Sequence, residues 1–155
     1  MQGSLFRNAI MGFVAAAIAV VTAHEAMLYI LANYAGLLPP TVRTWNTAPF
    51  GPLGVPQIVN SVFWGGLWGA LFGVIHDKLP GGTLWAKGLI YGLLVAIVSN
   101  FTLLPLIRKA LGVTNPGQIV MFAGGDPKRI AAVLLILSAF GLTLGIVYGL
   151  LNKKT

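Results

Sequence analysis

Residues 130–152 read IAAVLLILSAFGLTLGIVYGLLN, and this stretch decides the fold class. It carries no charged side chain from Ile130 to Asn152. A helix needs about 20 mostly apolar residues, at about 1.5 Å each, to cross the hydrocarbon core of a bilayer. The run is long enough. Working outward, Gly88 to Ile107 is uncharged as well, and Arg43 and His76 bracket a third uncharged stretch, apolar from Pro56 to Ile75. A fourth segment, from Leu5 to Ala32, is apolar except for Arg7, Asn8 and the pair His24–Glu25. The expectation is an all-α polytopic membrane protein. Residues 1–155 form one transmembrane domain, a four-helix bundle of two hairpins with spans at about 5–33, 57–76, 84–105 and 127–151.

Composition agrees. Of 155 residues, 57% are hydrophobic and 8% charged, with mean hydropathy +0.85. A soluble domain carries about 25% charged residues, so this chain cannot cover a water-facing surface. With 0 cysteines, thiol chemistry, Cys-ligated zinc and iron–sulfur clusters are excluded. The net charge of +7 comes from 10 basic and 3 acidic residues. Most of the basic residues flank apolar runs, as anchors to lipid headgroups do. No basic stripe interleaves with stacking aromatics, which argues against nucleic acid.

The boundaries have local causes. Pro39-Pro40 ends the first span, Pro56 opens the second, and Pro80-Gly81-Gly82 forms a turn with Thr83 able to cap the third. Asp126-Pro127 reads as the cap and first residue of the fourth helix. The connections 34–56 and 106–126 are long and apolar, and each has a Pro–Gln–Ile–Val flavour (Pro56-Gln57-Ile58-Val59; Pro116-Gly117-Gln118-Ile119-Val120). The two matches sit differently relative to the next helix, so a duplicated hairpin is the minor reading. The first segment also fits a signal peptide, with Val21-Thr22-Ala23 as its cleavage site; the retained helix is preferred. Basic residues divide evenly between the two ends of the bundle, so the orientation with cytoplasmic termini is only an expectation.

Two kinds of residue are candidates for function. Glycines at every fourth position (Gly65, Gly69 and Gly73; Gly88 and Gly92; Gly141, Gly145 and Gly149) allow helices to approach closely. They serve packing within one bundle or, if a stripe faces outward, an oligomer or partner subunit. Trp64 and Trp68 adjoin one stripe too deep for an interfacial belt, so their N–H groups need partners or a wet site; Trp45 and Trp85 fit the belt.

The second kind is polar. Glu25 is the only acid well inside a span, and an ionisable group there is a functional hypothesis by default. In an up-down bundle His24, Glu25, Asn60, Ser61, Ser99, Asn100 and Thr102 all lie toward the long-loop end, which predicts a polar pocket. Glu25 would pair with a basic residue or an Asn. His24 would not face it, since helix neighbours diverge by about 100°. The pocket is a structural network, a site for a lipid headgroup, quinone or other solute, or a proton or ion relay. No other cofactor is indicated. No metal site is expected, because His24 and His76 lie at opposite ends, and His76-Asp77-Lys78 reads as a solvated helix end. No hydrolase motif, phosphate loop or paired carboxylates appear, so an enzyme is disfavoured.

The stretch Ala48-Pro49-Phe50-Gly51-Pro52-Leu53-Gly54-Val55-Pro56-Gln57, followed by Val62-Phe63-Trp64-Gly65-Gly66-Leu67-Trp68-Gly69, resembles an uncharacterised group of small four-helix proteobacterial inner-membrane proteins. The similarity runs from the His24 region into the second helix. It implies a bacterial inner membrane and brings no activity or site residues with it. The leading expectation is a non-enzymatic membrane subunit, either accessory to a larger complex or self-associating. A small channel or transporter using the pocket around Glu25 is the alternative. The partners expected are membrane lipid and other membrane subunits or a second copy.

Overall fold

The computed structural model describes residues 2–50, 53–110, 112, 114 and 119–153. Gly51, Pro52, Pro116, Gly117 and Gln118, used in the readings above, lie outside the described residues. Among the described residues four helices are long and apolar enough to cross a membrane: Ser4–Asn33, Gln57–Lys78, Leu84–Ala110 and Pro127–Asn152. The third runs beyond Pro105, where the sequence reading ended it. A two-residue-per-strand hairpin, Pro49–Phe50 with Val55–Pro56, leads straight into the second helix.

Helix packing follows from the glycines. The first helix packs most closely on the second, the third on the fourth, and the first also lies along the fourth. In the first pair, a Cβ on Gly69 would run into the carbonyl of Gly12, and one on Gly73 into the carbonyl of Asn8. In the second, Gly88 and Gly141 each face the other's carbonyl, and Gly92 faces that of Leu137. Residue numbers rise on one helix as they fall on its neighbour, so each pair is antiparallel. With the Cβ absent, the backbones meet and Cα–H groups point at facing carbonyl oxygens, a weak but repeated attraction.

Between the two pairs the spacing is filled by rings. Phe72 on the second helix lies 5.2 Å from Tyr91 and 5.5 Å from Tyr148, centroid to centroid. The Tyr91 hydroxyl donates to the Trp68 carbonyl at 2.6 Å, and that of Tyr148 to the Gly73 carbonyl at 3.4 Å. Both hydroxyls are thereby satisfied in an apolar core, as buried polar groups must be. His76 belongs to this cluster. It is 6% exposed, bonds the Gly73 carbonyl through Nδ1 at 2.9 Å and packs 4.9 Å from the Tyr148 ring. The expectation of a solvated His76 is therefore corrected: Asp77 is the exposed member, and the imidazole turns inward because the aromatic wedge accepts it.

At the opposite end two helices depart from α geometry. Val20–His24 and Ala96–Leu103 are π-helical. The cause is legible in each. The Thr22 hydroxyl bonds back to the Ile18 carbonyl at 2.6 Å and Thr102 to that of Ile97 at 3.0 Å; such back-bonds compete with the backbone ladder. Pro105 has no N–H to continue the third helix, and the widened turn before it, closed by Leu104 N–H to Ser99 carbonyl, lets the helix pass through it. Asp126 caps the fourth helix as expected, accepting from the Lys128 and Arg129 amides. Thr83 stands before the third helix but makes no side-chain cap.

Candidate functional site

The π turn at Val20–His24 builds the site. The Glu25 N–H bonds the carbonyls of Val20 and Thr22 and bypasses that of Val21. That carbonyl accepts the indole N–H of Trp45 at 2.8 Å. The same residue's backbone N–H donates to Glu25 Oε2 at 2.7 Å. Trp45 thus grips one turn of helix twice, with ring and backbone. To do so it takes φ +46°, a conformation that costs a non-glycine residue roughly 1 kcal/mol or more. Glu25 Oε1 meets His24 Nδ1 at 3.2 Å.

Two sequence expectations are corrected here. His24 and Glu25 do interact, because a long carboxylate side chain on a distorted turn reaches its neighbour's ring. And the partners of Glu25 are its neighbour His24 and a backbone amide from the long loop, with no Lys, Arg or Asn side chain among them. Trp45, placed in the interface belt by sequence, is the residue that closes the site. No sequence signal marked it; Thr22 is the nearest to one.

The remaining pocket candidates stand at the same end without converging on Glu25. Asn60 and Ser61 are half-buried on the second helix, Ser99 is buried, and Asn100 and Thr102 are half-buried on the third. None bonds Glu25 or His24. Loop order comes from nearby: Asn46 Nδ2 donates to Gln57 Oε1 at 2.7 Å and its carbonyl accepts from the Ile58 amide. Glu25 is 5% exposed, and two open apolar grooves on the surface, one between Phe13 and Ala70 and one between Val21 and Val62, do not include it.

Gly65, Gly69, Gly73, Gly88, Gly92, Gly141, Gly145 and Gly149 all face other helices of the same chain, Gly149 meeting Leu84. An outward-facing stripe is not found among them. Trp64 is exposed, edge-on to Phe63 at 5.6 Å, and Trp68 is half-buried; neither ring N–H has a protein partner among the described residues. Trp85 is exposed at the start of its helix. No group of three or more His, Cys, Asp or Glu gathers among the described residues.

Comparison with known proteins finds no matching family model, no matching curated protein and no matching solved structure.

Proposed function

We propose that this chain is a non-enzymatic, multi-pass membrane protein that acts as an accessory or structural subunit in a bacterial inner membrane, with its two helix hairpins inserted and its termini cytoplasmic. The observation that carries the reading is the closure of Glu25. Its oxygens are taken by His24 and by the chain's own loop at Trp45. A transport acid must exchange partners with solute or water; this one holds a loop in place. The glycine stripes are occupied within the chain, so contacts with another subunit fall to outward faces. The second helix offers one in Trp64, Leu67 and Leu71, all exposed.

The test is flux and company. In liposomes, wild type and Glu25→Gln should be equally tight to protons and small solutes, while gentle purification from native membranes returns the same larger partner. Flux in the wild type that Glu25→Gln abolishes would replace this reading with the channel or transporter.

A further inference from the structure

We propose that the loop-side surface is a lipid-headgroup surface: the described loop residues 34–50, 53–56 and 119–126 lie in the headgroup layer of one leaflet, with Leu53 and Met121 in contact with lipid and the surrounding basic residues facing anionic headgroups. This rests on the membrane reading above. Depth comes first. Trp45 is fixed at the level of Val21 and Glu25, yet the first helix continues to Asn33, about 12 Å further at 1.5 Å per residue. In the second half, Phe122 stacks on Phe101 with centroids 5.6 Å apart. The third helix continues to Ala110, about 13 Å beyond. Trp45 and Phe122 therefore both sit below the ends of the helices that precede them.

The projecting helix ends are themselves apolar and exposed, with Tyr29 and Ile30 on the first and Leu106 and Ile107 on the third. Such side chains belong against lipid, so the bilayer extends past the level of the loops. The first helix, of 30 residues, measures about 45 Å, roughly 15 Å more than the hydrocarbon core of about 30 Å, so a projection of about 12 Å at the loop end leaves the level of Trp45 at the hydrocarbon boundary. Irregular backbone facing lipid is excluded from hydrocarbon, which leaves the headgroup layer for the loops. Their exposed side chains suit it: Leu53 is 85% exposed, and Phe50, Val120, Met121 and Phe122 are exposed too.

Charge selects the occupant. Arg43, Lys109 and Lys128 are exposed around these loops, with Arg108 half-buried. The acids at this end are engaged, Glu25 by the loop and Asp126 by helix-capping amides. The surface is thus apolar knobs within a basic rim, the complement of an anionic headgroup layer rather than of water.

The native chain has 0 cysteines, so single-cysteine variants can carry a nitroxide. Leu53→Cys and Met121→Cys report the loops, Leu67→Cys the outward side of the second helix, which meets lipid when the chain is reconstituted without a partner, and Gly82→Cys the turn at the other end, where a side chain meets open space. In phosphatidylcholine vesicles with phosphatidylglycerol, the loop labels should be relaxed by oxygen in preference to a water-soluble nickel chelate, more than position 82 and less than position 67. Nickel access at 53 and 121 equal to that at 82, with 67 still shielded, overturns the proposal and leaves the membrane reading standing. Nickel access at 67 as well removes both. For the charge, spin-labelled phosphatidylglycerol should be retained over phosphatidylcholine, and R108Q/K109Q should cut that preference about twofold. Equal retention of the two lipids by the wild type overturns the anionic assignment.

Discussion

The two halves of the molecule solve one problem with different chemistry. In each, a helix enters, widens into a π turn beside a back-bonded threonine, and continues; a long loop then returns to plant an aromatic residue on that turn. The planted residues, Trp45 and Phe122, both take positive φ, joined only by Ala123 among described non-glycine residues. In the first half the hold is polar: Glu25 and the Val21 carbonyl accept from Trp45. In the second it is apolar: Phe122 lies nearly parallel to Phe101, at 26°. The difference teaches that a lone acid in a span need not mark a transport path. Where the second half holds its loop with ring contact, the first does so with a carboxylate.

The comparison can be broken most severely at its common base. Gly69→Leu should separate the first pair and Gly141→Leu the second, each costing about 3 kcal/mol because backbone, and not a flexible side chain, stands where the new atoms go. Unfolding in graded detergent mixtures measures this, and a loss confined to one pair would sharpen the division into halves. Next in size is Glu25→Ala, expected to cost about 2 kcal/mol by stranding the Trp45 amide and the His24 ring. Glu25→Gln, which keeps an acceptor oxygen, should cost less. Smallest is Phe122→Ala, about 1 kcal/mol from the lost ring pair. Phe122→Gly should recover part of that loss, since glycine takes φ +49° without strain. If Phe122→Ala proved as costly as Glu25→Ala, the two holds would be energetically alike.

Much of this was readable in advance. Uncharged runs and proline punctuation located four helices, because both depend on local composition alone. The Asp126 cap was local too. Glycine spacing revealed close packing but not its direction, since a stripe looks the same whether it faces its own chain or another. Glu25 stood out because an acid among apolar residues is rare. Its partner did not, because Trp45 reaches it only through a π register shift and a left-handed backbone, neither of which has a strong sequence signature. His76 was misjudged for a related reason: next to Asp77 and Lys78 it reads as a polar end, and only the tertiary wedge of Phe72 and Tyr148 draws it inside.

The central claim is that the carboxylate of Glu25 is engaged by its own loop. Hydrogen–deuterium exchange at the Trp45 amide, in the bilayer-reconstituted protein, tests it at the atom concerned. Protection in the wild type, retained in large part by Glu25→Gln and lost about tenfold or more in Glu25→Ala, is the predicted result. Free exchange at Trp45 in the wild type, or protection indifferent to Glu25→Ala, would contradict it.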